Sequence, residues 1–124
     1  MSWKEDELRT IGSSEEIQIA PRRRDGTLRA PLTIWAVSQG DAVYIRSAVK
    51  GRSATWYRAT EDTHQGRIWA GGIHRDVEFV KADNQVNDEI DAAYRVKYRR
   101  YAGPILNSCL TPEARSTTLR VMPR

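Results

Sequence analysis

The chain has 124 residues, 40% of them hydrophobic, which predicts one compact domain over 1–124 and leaves no room for two. Twenty Lys and Arg residues against sixteen Asp and Glu residues give a formal net charge of +4, which suits an anionic small-molecule ligand as well as nucleic acid. The single cysteine, Cys109, excludes an internal disulfide and favours a cytoplasmic location, and no apolar run approaches the roughly 18 residues of a membrane span, so no membrane partner is expected.

A short amphipathic helix is predicted near the start of the chain. Residues 3–11 place Trp3, Leu8 and Ile11 on one apolar side, and Gly12 ends the pattern. We expect this helix to pack against the rest of the domain as a lid or an arm.

The sequence after the first helix has the alternating pattern of strands. The turn "SQGD" joins two of these segments as a hairpin, and two others form a second antiparallel pair with one face in solvent. The predicted strands are about six in number and lie within 16–22, 32–37, 41–47, 66–72, 75–82 and 116–123.

One long helix is predicted over 84–101. Its acidic residues lie toward the start and its arginines toward the end, which suits the helix dipole, so these charges need no functional explanation. With the strands it predicts a mainly β fold of the α+β class, a small antiparallel barrel with helical covers. The apolar residues at helical spacing are Val86, Ile90, Ala93, Tyr94, Tyr98 and Tyr101.

Several kinds of chemistry have no support in the sequence. His64 and His74 are the only histidines, Cys109 is distant from both, and no Cys-x-x-Cys or His-x-x-x-His spacing exists, so no metal is expected. Neither the Gly-x-Ser-x-Gly elbow of hydrolases nor a phosphate loop of nucleoside-triphosphate enzymes occurs. The cations of the long helix alternate with acids and the charge excess is modest, so no nucleic-acid partner is expected.

The stretch "YIRSAVKGRSATWYR", 44–58, begins as a strand and continues into a basic loop in which Gly51 relaxes the backbone. Its hydroxyls, amides and cations could converge on one phosphate, and a strand residue would be the most rigidly held ligand. A solvated basic loop that closes a hairpin explains the same residues, and both interpretations stay open. Trp56 and Tyr57 are either core aromatics or rings that border a planar ligand. The candidate phosphate ligands are Arg46, Ser47, Lys50 and Arg52.

The segments "IWAVSQGDAVYIRSAVKG", "TWYRA", "GRIWAGG", "RDVEFV", "IDAAYRVKYRRY" and "TTLRVMPR" together resemble an uncharacterised bacterial family, a domain of unknown function. That family is placed with the flavin-binding split β-barrels, the pyridoxamine-phosphate-oxidase-like and deazaflavin-dependent nitroreductase-like proteins. The resemblance covers nearly the whole chain from Ile17. It implies a split barrel that binds flavin mononucleotide (FMN) or the deazaflavin F420, or no cofactor, since some split barrels keep the fold without a flavin.

The resemblance also implies roles for particular residues. The segment "RRRDGTLRAP" loosely echoes a Gly-Arg-Lys/Arg-x-Gly turn of the deazaflavin branch. A two-fold interface commonly carries the cofactor in split barrels, which implies a homodimer, and the aromatic residues Trp3, Trp35 and Trp69 favour one because they exceed what a small core can bury. By resemblance, the phosphate ligands are Arg46, Ser47, Lys50 and Arg52, and the ring is bordered by Trp56 and Tyr57.

Two functions follow as hypotheses. The first is a flavin- or deazaflavin-dependent oxidoreductase for a small organic substrate, with Trp69, His74 and Tyr94 on the substrate side. The second is a cofactor-free barrel that binds, or transforms by acid–base catalysis, a small hydrophobic substrate in a biosynthetic pathway. Its acid would be a buried carboxylate with a raised pKa, and the candidates are Asp76, Glu78 and Asp91.

Overall fold

Residues 2–124, the part of the chain that the computed structural model describes, form one antiparallel sheet of seven strands with five helices around it. Hydrogen-bonded neighbours follow the order β2-β1-β5-β6-β7-β4-β3. The strands are β1 (Ile17–Pro21), β2 (Leu32–Ile34), β3 (Ala36–Gln39), β4 (Ala42–Ile45), β5 (Gln65–Ala70), β6 (Ile73–Lys81) and β7 (Leu119–Pro123). The helices are α1 (Glu5–Ser13), α2 (Thr55–Thr63), α3 (Asn87–Lys97), α4 (Pro104–Asn107) and α5 (Pro112–Ser116).

The sheet curls into a nearly closed barrel because its two edge strands are consecutive in sequence. β2 and β3 lie at opposite edges of the sheet, yet Trp35 alone separates them. Two neighbouring Cα–Cα steps span at most about 7.6 Å, so the edges must lie close together. The Trp35 ring stacks on Tyr98, with centroids 3.9 Å apart and planes 4° from parallel. The predicted strand 32–37 is therefore divided between two edges, which raises the strand count from six to seven.

The barrel interior is filled by alternate residues of the strands. Helix α1 closes one side. Trp3 lies just before it and donates its indole N–H to the carbonyl of Val121 at 2.9 Å. Both carboxylate oxygens of Glu7 accept from Nη1 of Arg75, at 2.9 and 2.8 Å. Each fully buried branched side chain contributes about 1.5–3 kcal/mol. The inner core includes Ile11, Ile17, Ile19, Val43, Ile45, Ile68, Val77, Phe79 and Val121.

A second core lies between the outer face of β3–β4 and α3. All four residues of β4 are buried, because one face of the strand points into the barrel and the other lies beneath α3. Helical turns extend over 84–101 as predicted, with α3 flanked by short 3-10 turns, and Asp83 caps the first turn through the N–H of Gln85. The members of this core include Val37, Tyr44, Ile90, Tyr94, Tyr98 and Leu106.

Helix α2 is the main element that was not predicted from the sequence. It follows a 3-10 turn at Gly51–Ser53, where a solvated loop was one of the two interpretations. Tyr57 and Thr60 on its inner face are buried, and the helix ends at His64 in the left-handed conformation. The fold class itself, an antiparallel barrel with an N-terminal helix and a long helix near the C-terminus, is confirmed.

Candidate functional site

A cavity of about 640 Å³ opens between the β1–β2 end of the barrel and the start of α2. Its apolar wall includes Pro21, Leu32 and the half-buried ring of Trp56. Its polar lining includes three cations, and no Asp or Glu is among its lining residues in the described part of the chain. A pocket with a flat apolar wall and net positive charge suits an anionic ligand with a planar body. The cations are Arg23, Arg29 and Lys50.

Three of the six predicted cofactor residues meet in this cavity. Ser47, Lys50 and Trp56 all line it, because the chain leaves β4, crosses the rim of the cavity and enters α2. Trp56 also packs on the barrel core and meets Tyr57 edge to face, with centroids 6.0 Å apart. Ser47 and Lys50 of the loop over 47–54 and Trp56 of the following helix therefore border the same cavity.

Arg46 is placed differently from the prediction that made it the principal phosphate ligand. Its side chain is fully buried, and its guanidinium donates to Asp91 at 2.5 Å, to the carbonyl of Cys109 and to Thr118 Oγ1 at 2.9 Å each, and to Asn87 at 3.2 and 3.3 Å. A guanidinium has five N–H donors, and these contacts use all of them. No donor remains for a phosphate, so Arg46 has a structural role that joins β4 to α3.

Arg52 and Tyr57 also lie outside the cavity. Arg52 is exposed on the 3-10 turn, whereas Tyr57 is buried in the barrel core, where burial raises the pKa of its hydroxyl. Adjacent residues on a helix point about 100° apart, and here Trp56 lines the cavity whereas Tyr57 packs in the barrel core. The structure supports Trp56 as the ring contact and does not support the other two.

Two arginines of the cavity were absent from the predicted site. Arg23 lies in the turn that the bridge between Arg22 and Leu28 closes, and Arg29 follows that bridge. Arg23 donates to the carbonyl of Leu28 at 3.0 Å. The Nε of Arg29 is buried and has no hydrogen-bond partner among residues 2–124. The sequence did carry a sign of these two arginines, since both lie in "RRRDGTLRAP", the segment that loosely echoes a turn of the deazaflavin branch.

The first turn of α2 adds a further attraction for anions. Ala54 is the N-cap and has no side-chain oxygen, and no acidic residue occurs in the first turn. The first N–H groups of a helix lack intrahelical acceptors and lie at the positive end of its dipole. Ala54, Thr55 and Trp56 line the cavity together with Arg29, so this end of the helix borders the same space as that arginine.

The predicted substrate-side residues do not form one site. Trp69 and His74 lie opposite each other on β5 and β6 and line a separate groove of about 460 Å³ on the outer face of the sheet. Gln18 and Thr33 continue the same row across β1 and β2. Tyr94 lies in the second core beneath Arg46, where burial raises the pKa of its hydroxyl. A substrate-side role for Tyr94 is not supported.

The three carboxylates considered for acid–base catalysis all lie outside the 640 Å³ cavity. Asp91 is buried and paired with Arg46 and Arg115. The pKa of Asp76 is lowered, chiefly by its hydrogen bond from Arg67, and Glu78 is exposed. A paired or solvated carboxylate is a poor proton donor near neutral pH, so the structure offers no buried acid at this cavity among these three.

Three solved structures are similar to the chain over nearly its whole length. An "F420 Reductase" has a TM-score of 0.57 and 17% identity over 98% of this chain and 96% of its own. HutZ, a heme storage protein from Vibrio cholerae, has a TM-score of 0.62 and 12% identity over 100% and 92%. A FAD- and heme-binding protein from Mycobacterium smegmatis has a TM-score of 0.55 and 14% identity over 98% and 65%. At these identities the likeness shows the fold, a split barrel.

The sequence comparisons address the family. A search of curated protein sequences finds no significant match. Residues 7–121 match the profile of a family described as "Uncharacterized protein conserved in bacteria (DUF2255)", which agrees with the resemblance to a bacterial domain of unknown function. No helix of residues 2–124 is long and apolar enough to cross a membrane. The chain belongs to the bacterial family DUF2255.

Proposed function

We propose that the chain binds a phosphorylated planar cofactor of the flavin or deazaflavin type in the 640 Å³ cavity and acts through it as an oxidoreductase on a small organic substrate. The observation that carries this proposal is the set of three cations, Arg23, Arg29 and Lys50, that lines a cavity without carboxylates beside the uncapped first turn of α2. Cations and helix N–H groups that lack acceptors together favour an anionic group such as a phosphate.

The residues of the cavity divide into two groups with separate tasks. Arg29, Lys50 and the first N–H groups of α2 bind the phosphate, since charge-assisted hydrogen bonds from planar and backbone donors suit its oxygens. Trp56 and Leu32 contact the ring and exclude water from one of its faces. When bound, the cofactor supplies the hydride chemistry, and the protein binds and orients it.

The names of similar structures agree with this assignment. One is called an F420 reductase and another a FAD- and heme-binding protein, so the same barrel holds cofactors of the proposed kind in other proteins. We infer only the class of ligand from them. The positive, carboxylate-free lining of this chain's own cavity selects a ligand with an anionic group.

Riboflavin and FMN test the proposal because they share the ring and differ by the phosphate. FMN should bind about ten- to a hundredfold more tightly than riboflavin, and Arg29→Gln should remove most of that gain. Arg52→Gln, which removes an exposed arginine outside the cavity, is the matched control and should leave both dissociation constants unchanged. Equal binding of the two ligands, or no binding of either flavin or of the deazaflavin F420, contradicts the proposal. Bleaching of the bound ligand by NADPH tests the redox activity.

We also propose a homodimer. Two of the three aromatic residues that favoured a dimer are covered within the chain, because Trp3 is buried and Trp35 stacks on Tyr98. Trp69 still favours it, since its ring lies half-buried in the groove on the outer face of the sheet. Light scattering should give twice the chain mass, and Trp69→Glu should give a folded monomer. We further propose a cytoplasmic location, which the single buried Cys109 suits.

A further inference from the structure

A second cavity, of about 340 Å³, continues from the first along α2. Arg29, Thr55 and Ala59 line both cavities, and the second adds Arg58 and Asp62. The four helical residues among these are spaced i, i+3, i+4 and i+7, so they form one stripe along α2. The two cavities are therefore one groove, which begins at the mouth of the barrel and follows the helix.

The charges along this groove point to a further anion. Arg58 is exposed and forms no salt bridge with any residue of 2–124. Asp62, at the far end, is already engaged by Arg24 at 2.7 Å, so its charge is offset within the protein. Arg58 lies three residues after Thr55, about 4.5 Å further along the helix axis. A cation without a partner therefore follows the proposed phosphate position at a distance of one helical turn.

We propose that the ligand carries a second anionic group beyond its first phosphate and that Arg58 binds it. The ligand class is then an extended anionic cofactor, such as a dinucleotide or a mononucleotide with an acidic extension, rather than a simple mononucleotide. This inference rests on the proposed function, because it takes the first phosphate to lie at the start of α2. Arg29 borders both cavities and contacts the linkage between the two anionic groups.

FMN and flavin adenine dinucleotide (FAD) test the inference because FAD adds a second phosphate and an adenosine to FMN. Wild-type protein should bind FAD about tenfold more tightly than FMN, and Arg58→Gln should remove that gain while leaving FMN binding unchanged. Inorganic pyrophosphate and orthophosphate, used as competitors of FMN, repeat the comparison without the adenosine. Pyrophosphate should compete with FMN about tenfold better than orthophosphate does in the wild type. In Arg58→Gln the two competitors should be equally effective.

Arg52→Gln is again the matched control, since Arg52 is an exposed arginine that lines neither cavity. Either gain, lost in Arg58→Gln and kept in Arg52→Gln, supports the inference. If neither gain occurs, or if Arg58→Gln weakens FMN and FAD equally, the second site is ruled out while the preference for FMN over riboflavin still supports the proposed function. Equal binding of riboflavin and FMN overturns both.

Discussion

Arg46 and Asp91 form a buried ion pair that joins β4 to α3, with side chains 0% and 7% exposed. Three further partners satisfy the guanidinium, and Arg115 reaches the second oxygen of Asp91 at 3.3 Å. Removal of one partner from a fully hydrogen-bonded buried pair destabilises the folded state, because the other charge then stays buried without compensation.

Removal of either partner should therefore destabilise the protein. We expect Asp91→Asn and Arg46→Ala each to lower the free energy of unfolding by about 3–5 kcal/mol, measured by urea denaturation. Arg67→Ala is the comparison, since it breaks the more exposed pair with Asp76 and should cost about 1 kcal/mol or less. Normal stability of Arg46→Ala with weakened FMN binding would restore Arg46 as a phosphate ligand.

Ring and phosphate contacts should separate in binding measurements. Trp56→Ala should weaken the binding of riboflavin and of FMN by the same factor, roughly tenfold, because the ring contact is common to both ligands. Arg29→Gln should weaken the binding of FMN alone. Trp69→Ala, in the other groove, should change neither dissociation constant. A Trp56→Ala protein that binds both ligands normally would show that the ring lies elsewhere.

Gly51 should not tolerate a side chain. Its φ is +52°, and an added Cβ would collide with the side chain of Glu113 on α5. Gly51→Ala should lower the free energy of unfolding by about 1–2 kcal/mol through backbone strain, and by a further amount through the clash with Glu113. Adding Glu113→Ala to the same protein should restore only the part that the clash removed. Gly40→Ala, at φ +61° with open space around it, measures the strain by itself. Equal unfolding free energies for the two glycine variants would mean that Glu113 simply moves aside.

Lys97 should add stability to the protein as the pH rises from about 8 to 9.5, whereas the thiol of Cys109, whose pKa burial raises, acts in the opposite direction. Burial lowers the pKa of Lys97 to about 8, and its amine donates to the carbonyls of Ala36 at 2.5 Å and Ile11 at 3.3 Å. The unfolded chain then binds more protons than the folded one above pH 8, so deprotonation favours folding. Above about pH 10, Tyr98, whose pKa burial raises, acts in the opposite direction. Lys97→Met should flatten the rise in denaturation series across this pH range, and an unchanged slope would contradict the assignment.

The strands were predictable because alternation of apolar residues decides which face of a strand is buried, as at Ile17 and Ile19 in β1. The division at Trp35 was not, because it depends on stacking against Tyr98, 63 residues later. Likewise, a strand arginine gives no sign of whether its partner is a ligand or a distant carboxylate. Helix α2 was missed because Thr55, Trp56 and Tyr57 have strand propensity, which burial of one helix face overrides.

The position of β7 has a consequence for how the chain is made. This strand is the last element in sequence, yet it lies between β6 and β4 and is the only link between the β3–β4 hairpin and the other strands among the pairings of residues 2–124. During synthesis the β3–β4 hairpin can form early. The edge of β4 stays unpaired until β7, which begins about 75 residues later, has left the ribosome after the other six strands. The barrel therefore closes only after β7 has been made, and the nascent chain carries an open sheet edge until then.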